Sequence, residues 1–461
     1  MKPPTYLEDE YRQLFRNLTY PERVRGIQPD ELARTARALG ATVLAVDVRT
    51  QCYALHDTQV YVKDPLLGTR DLVRETADAC RRHGLKFIGY VAPLSFEPWH
   101  KLRPEWQQCD AAGQPVARHG SWKTCACWNT GFADNLMAEL TEIATAYRPH
   151  GFYIDGLLPD RHACYCAACQ AKYLKETGRA LPPQPDWQSP EWFAYLEWRY
   201  RQVEEFARRL DHTIHAIDPR IEIIFNCPHA WCGWYAAQSH RPARYLDRVG
   251  TETVLGLAPP QPSQSLWSLM THAAYRVHVT RMLGSGRKSH AYTYFTPDIP
   301  EAEAALEINT VLAAGGIPCI QGCVPFLDRI MQRIAVTEPY LRQATEVPCV
   351  GLVFSDLTRD AAYGADDQAF FAQMHGMFRV LMEAHVPFQL VGDHQLENEP
   401  LDGFRLLVLP NVTTLPDRAW QRLRAFVSAG GTLLATYQTG RLDRTGRERG
   451  PWLLWEDAGL R

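Results

Sequence analysis

The sequence predicts an α/β protein: a (β/α)8 TIM barrel followed by a smaller flavodoxin-like α/β domain. Three observations lead there. Eight short apolar segments alternate with helix-like segments up to about residue 345. Several of these segments end on a polar or charged residue, as strands do at a barrel mouth. After Val347 the alternation restarts with four more buried-type segments and no Gly-rich phosphate loop. Residues 1–345 are therefore the expected barrel, and 346–461 the expected second α/β domain, ending soon after its fourth strand as a short or truncated version would.

The elements follow in order. A weak first strand is expected around Leu14 to Asn17, because a barrel needs one. Pro29-Asp30-Glu31 opens a helix that runs to Leu39, with Gly40 at its exit. Thr42 to Asp47 is a buried strand, a helix follows Thr69-Arg70-Asp71 and stops at His83-Gly84, and Lys86 to Val91 is the next strand. A long loop, Ala92 to Asn129, is rich in Trp, Pro and Cys, and loops of that length are functional or built around a constraint. A helix from Ala133 to Tyr147 feeds the strand Gly151-Phe152-Tyr153-Ile154-Asp155. Ser189-Pro190-Glu191 starts a long helix to Ile217. Strands are then expected at Ile221–Asn226, Thr251–Leu257, Lys288–Phe295 and Ile317–Gln321, with a helix over Pro300–Ala314. In the second domain strands are expected at Val350–Phe354, Phe388–Val391, Arg405–Leu409 and Thr432–Thr436, and helices over about 366–384 and 417–429.

Composition narrows the function. A formal net charge of -3 leaves no basic surplus, so nucleic acid is not an expected partner. No stretch approaches the roughly 20 apolar residues that span a bilayer, so no membrane partner is expected. Met1 to Glu10 lacks the basic start and apolar core of a secretory signal, which points to the cytoplasm or to a chain from which a signal has been removed. Thirteen cysteines, an odd number in a large chain, argue against a full disulfide framework. The 13 Trp and 20 Tyr fill the core or stack on sugars.

In a barrel the reacting groups stand at the C-terminal ends of the strands. The polar residues expected there are Asp47 and Arg49, Tyr90, Asp155, Asn226 with His229, Glu252, Tyr292 with Tyr294, and Gln321. Trp231, Trp234 and Tyr235 follow Asn226 and offer a platform for a pyranose ring, or simply pack in the loop. Such a mouth suits a polyhydroxylated substrate, and paired carboxylates are the minimum equipment for glycoside hydrolysis. Asp155 is the leading acid, because it ends a buried strand just before a glycine; the plainer reading is a turn residue bonded to loop amides. Glu252 is the expected partner, though a solvated loop Glu reads equally well; the alternatives are Glu307, by default a satisfied helix residue, and Asp298, which reads as a helix-entry residue between prolines. Retention of configuration would need the two carboxyls about 5–5.5 Å apart, and inversion about 6.5–9.5 Å. Cys164, Cys166 and Cys169, with Cys125 or Cys127 upstream, have the spacing of a four-thiolate structural zinc site; three reduced thiols in a loop is the bland alternative. Neither a G-x-S-x-G elbow nor an H-E-x-x-H helix occurs.

These residues resemble two groups. The barrel, the strand-four acid, Cys164-Tyr165-Cys166-Ala167-Ala168-Cys169 and the second domain look like the trimerising β-galactosidases. That resemblance implies a structural zinc held by Cys127, Cys164, Cys166 and Cys169, with Asn129 two places after the first. It departs at the catalytic positions, where this chain has Ile154-Asp155-Gly156 in place of Asn-Glu, and His290-Ala291-Tyr292-Thr293-Tyr294 without a carboxylate. A nearer match is the hypothetical glycoside hydrolase group related to α-L-fucosidases, carried by Cys127-Trp128-Asn129, the strand-four exit, the cysteine cluster and Tyr195-Leu196-Glu197-Trp198-Arg199. It implies Asp155 as nucleophile. The expected function is a retaining exo-glycosidase acting on a small oligosaccharide or glycoside, in a homo-oligomer (dimer or trimer). The rival is a catalytically silent barrel that binds carbohydrate or serves as a subunit, and a second carboxylate facing Asp155 separates the two.

Overall fold

The computed structural model describes residues 3–450 except 19–22, 51, 93–98, 119–122, 156–159, 161, 228–239, 254–265, 343, 348 and 364–367. Eight parallel strands close into a barrel in sequence order: β1 (Gln13–Arg16), β2 (Val43–Asp47), β3 (Lys86–Val91), β4 (Gly151–Asp155), β5 (Glu222–Asn226), β6 (Arg248–Thr253), β7 (Ser289–Tyr294) and β8 (Gly316–Gln321), which pairs back to β1. A second sheet of four parallel strands follows: β9 (Val350–Phe354), β10 (Phe388–Gly392), β11 (Leu406–Leu409) and β12 (Thr432–Ala435), in the spatial order β10-β9-β11-β12. The expected fold class is therefore present.

Alternation along the strands sorts the barrel residues into two sets. Leu44, Val46, Phe87, Phe152, Ile154 and Phe225 face outward into the layer shared with the helices. Phe15, Ala45, Ile88, Tyr90, Tyr153, Ile224, Tyr292 and Cys319 face inward and fill the barrel as a packed core. The N-terminal segment closes the lower end. Leu7 is fully buried there, and Gly151 makes room for it, since a Cβ at 151 would lie 2.7 Å from Leu7 Cδ1. Beside it Arg248 and Glu222 form a buried ion pair at 2.9 Å.

The helices obey their local signals. Ser189 Oγ accepts from the backbone N–H groups of Glu191 and Trp192 at the start of the helix Pro190–His215. Thr130 caps Gly131–Tyr147 and Asp71 caps Leu72–Arg82 in the same way. Two long helices went unread in the sequence, Leu266–Leu283 and Leu327–Leu341. The first carries apolar residues on every side, because the barrel covers one face and the second sheet's layer the other. His278 stacks on Phe388 at 5.5 Å and meets Phe378 at 5.4 Å, which joins the two parts of the chain. The sixth strand also differs from expectation: it begins at Arg248, and residues 254–257 lie outside the described residues.

Candidate active site and thiolate cluster

The mouth is assembled by register. Asp155 pairs across β4–β5 with Asn226, Glu252 across β6–β7 with Tyr292, and Asp47 across β2–β3 with Tyr90. These residues share the inward face at the strand ends. Asn226 is buried and its side-chain nitrogen donates to both acids, at 2.7 Å to Asp155 Oδ1 and 3.0 Å to Glu252 Oε1. Two oxygens held by one nitrogen can be no further apart than those two bonds laid end to end. Tyr90 donates its hydroxyl to the other oxygen of Asp155 at 2.6 Å. Both oxygens of Asp155 are thus oriented by neutral donors.

Tyrosines make the floor. Tyr90 stacks on Tyr153 at 5.4 Å, and Tyr153 meets Tyr292 edge-on at 4.4 Å; Tyr292 in turn stacks on Tyr294 at 6.2 Å. Burial, then the nearby Asp155 and Glu252 charges, push the Tyr153 hydroxyl well above its usual range. Burial and the same two acids raise Tyr294 as well. These hydroxyls therefore keep their protons. Burial, with the Arg248 charge adding to it, pushes His290, lower in the barrel, down to about 3, so it is neutral.

Other expected mouth residues are used differently. Asp47 accepts the backbone N–H of Leu18 at 2.7 Å and so anchors the chain leaving β1. Arg49 is not brought to the mouth. It is 1% exposed, pairs with Glu139 of the helix Gly131–Tyr147 at 3.3 Å and lies 4.3 Å above the Tyr61 ring. Tyr292 is buried in the floor, and Gln321 is half-buried at the end of β8. Glu307 is fully buried within its helix, and Asp298 precedes that helix on the chain. His229, Trp231, Trp234 and Tyr235 lie outside the described residues.

Three participants were missed in the sequence. Tyr153 stands two residues before Asp155 on the same strand face, a signal alternation alone could have supplied. Gly250 leaves space for it: a Cβ there would sit 3.1 Å from Tyr153 Cε2 and 3.2 Å from the His290 carbonyl oxygen. Arg276, on the helix Leu266–Leu283, donates to the backbone carbonyl of Glu252 at 2.8 Å. Gly250→Ala is expected to cost about 1–3 kcal/mol of stability through overpacking. It should also lower kcat/KM, since the displaced ring lies beneath both acids. Urea unfolding and kinetics matching wild type would show that the floor can yield.

The cysteines form a second constellation. Cys127, Cys164, Cys166 and Cys169 are buried, and their sulfurs all lie within 4.8 Å of one another. Cys127, not Cys125, completes the group. Tetrahedral zinc with Zn–S bonds of about 2.3 Å needs sulfurs at roughly this spacing. The surroundings suit thiolates: Asn129 Nδ2 donates to Cys169 Sγ at 3.3 Å, and the backbone N–H groups of Cys109 and Cys166 donate to Cys164 Sγ, each at 3.4 Å. The fully buried Arg199 guanidinium feels Cys169, Cys164 and Cys127 and bonds to Tyr195 Oη at 3.3 Å. Tyr195 accepts from the Cys164 N–H at 2.9 Å and donates to the Cys164 carbonyl at 2.8 Å. The Tyr195–Arg199 stretch is therefore the brace of this cluster, with both side chains one helical turn apart on one face. The group can hold a metal ion.

Two acids bridged by one amide thus stand at the mouth of a (β/α)8 barrel, and two stretches of the chain are similar to known families. Residues 28–156 match the family model described as hypothetical glycosyl hydrolase 6, and residues 352–450 match the β-galactosidase trimerisation domain. Both sequence resemblances are borne out over those stretches. No curated protein matches at a significant level. Among solved structures, the α-L-fucosidase isoenzyme 2 from Paenibacillus thiaminolyticus superposes with a TM-score of 0.72 at 17% identity, over 94% of this chain and 64% of its own. A β-galactosidase from Rahnella sp. R3 gives 0.75 at 14% identity, over 98% and 75%. Another from the psychrophilic Marinomonas ef1 gives 0.73 at 16%, over 96% and 79%. At these identities the likeness is one of fold, and the chain spans just under two thirds of the fucosidase's length. Among the described residues no helix is long and apolar enough to cross a membrane.

Proposed function

We propose that this protein is a retaining exo-glycosidase acting on a small oligosaccharide or glycoside, with Asp155 as nucleophile and Glu252 as acid/base. The observation that carries the reading is the shared amide of Asn226. By bonding to one oxygen of each acid, at 2.7 and 3.0 Å, it keeps the nearest oxygens closer than the roughly 6.5 Å at which inverting pairs begin. A catalytically silent barrel would have no need of that pairing. In the first step Asp155 attacks the anomeric carbon while Glu252 gives its proton to the departing oxygen. In the second, Glu252 takes a proton from water, which displaces the carboxylate and releases the sugar. Exo action is supported by the names of the fold neighbours, an α-L-fucosidase and β-galactosidases, which point to a terminal sugar as the group removed.

Tyr90, Asn226, Tyr292, Gln321 and the Asn226-proximal loop residues His229, Trp231 and Trp234 are proposed to bind the sugar, with Asp47 supporting the rim. Zinc is proposed for the four-thiolate group in a structural role. The match over residues 352–450 supports a homo-oligomer. Twelve described cysteines are free of disulfides, in keeping with a reducing cytoplasm. The test of roles is a comparison of leaving groups. Glu252→Ala should lose about 10²–10⁴-fold in kcat/KM on alkyl glycosides, yet form the glycosyl-enzyme from activated aryl glycosides, whose departure needs no proton, nearly as fast as wild type. Equal losses on both kinds would remove Glu252 from the acid role.

A further inference from the structure

We propose that the joint between the barrel and the second domain is a proton-operated latch, closed by neutral histidines and opened by acid while both parts stay folded. Five histidines meet across it. On the barrel side His272 and His278 lie on the helix Leu266–Leu283, and His240 opens the short helix His240–Ala243. On the other side His375 lies on the helix Gln368–Glu383 and His394 on the helix Asp393–Asn398. His272 meets His375 with ring centroids 3.7 Å apart, and His240 stacks on His394 at 5.5 Å. His375 also packs edge-on against Tyr275 at 4.5 Å, while His278 touches both Phe388 and Phe378.

These contacts suit uncharged rings. Two imidazolium ions at the His272–His375 separation would repel strongly in a half-buried space. Arg276, one turn on from His272 and bonded to the Glu252 carbonyl, opposes a proton on either ring. Arg281 opposes one on His278. Among the described residues, no carboxylate is one of the charged groups acting on these three rings. His240 is the mixed case: Asp356 favours its charge, while Arg241, His394 and Arg244 oppose it. Burial leads at all four rings, pushing His240, His272 and His278 down to about 4 and His375 to about 3.

A ring depressed from its ordinary 6.5 by the closed joint gains its proton when the joint opens. Opening therefore grows easier as pH falls from about 6.5 towards 4. Asp393 has the opposite sign. It lines the small cavity shared with His240 and His394, and burial raises its carboxyl from 3.8 to about 7, so it sheds a proton on opening. Four histidines take up protons and one acid gives one back, a net uptake of about three. The histidines outweigh the acid, and the joint is held shut from neutrality upward.

The test follows shape and secondary structure together on the whole protein. Small-angle X-ray scattering on a size-exclusion column, which also counts chains, would be paired with far-UV circular dichroism from about pH 7.5 to about pH 4. Wild type should expand in radius of gyration within that range, keep its far-UV signal, and contract again on neutralisation. In His272→Gln/His375→Gln two of the titrating rings are gone, so the net uptake falls to about one proton. Its midpoint should move down by about half a pH unit or more, with a flatter transition. His278→Phe keeps a ring for Phe388 to stack on and removes one proton, so its midpoint should move the same way by less; it decides the matter if the double variant fails to fold. Four results overturn the latch: a radius unchanged down to about pH 4, a change only in the number of chains, far-UV signal lost at the same midpoint, or variants that open at the wild-type pH.

Discussion

Asp155→Ala is expected to lower kcat by about 10⁴-fold or more on every glycoside the wild type cleaves, while unfolding at nearly the same temperature. The size follows from the role: removing a nucleophile takes away the covalent route, and Asn226 and Tyr90 have nothing of their own to replace it. The small effect on folding follows from position, since Asp155 is half-buried at a strand end and the strand is held by its backbone and by Phe152 and Ile154. Azide added to Asp155→Ala separates nucleophile from stabiliser. Attack from the vacated side should restore turnover and give a glycosyl azide of anomeric configuration opposite to the substrate's. The Glu252→Ala protein with azide should give the retained product, because its nucleophile is intact. An Asp155→Ala enzyme with wild-type kcat would return the barrel to the carbohydrate-binding reading.

How much of this was legible differs between elements for identifiable reasons. Lys86–Val91, Gly151–Asp155 and Val350–Phe354 are strands buried on both faces, so their continuous apolar runs mark their limits to the residue. The sixth strand is harder to see. It opens with Arg248-Val249-Gly250, which reads locally as a loop; the arginine is accommodated by Glu222 on the neighbouring strand, and the glycine by the Tyr153 ring. Neither partner is near in sequence. Arg49 shows the same limit from the other side. A polar residue just past a strand suggests the mouth, but its ion partner Glu139 belongs to a helix that only the fold brings close. The Asp155–Asn226–Glu252 arrangement was readable as a set of strand-end residues, whereas the single amide bridging both acids depends on strand register, which no local pattern encodes.

Cys169→Ser should purify with little or no metal and melt about 10 °C or more below the wild type, which should itself carry one zinc per chain. The four sulfurs tie together two separate stretches of chain. Cys127 precedes the helix Gly131–Tyr147, Cys164 and Cys166 lie in the segment after β4, and Cys169 stands in the first turn of the helix Ala167–Thr177. Without the metal, buried thiols would face one another with only weak bonds between them, and the Arg199 guanidinium would keep its burial but lose the thiolate charge that offsets it. Both effects act on stability. The chemistry lies at the other end of the same loop, so chelation under reducing conditions should lower the melting temperature first and reduce kcat only as the segment leaving Asp155 loosens. Elemental analysis finding no zinc in protein purified under reducing conditions would count against the assignment. So would a Cys169→Ser protein that melts with the wild type, because a brace that can be cut without cost is not holding the loop.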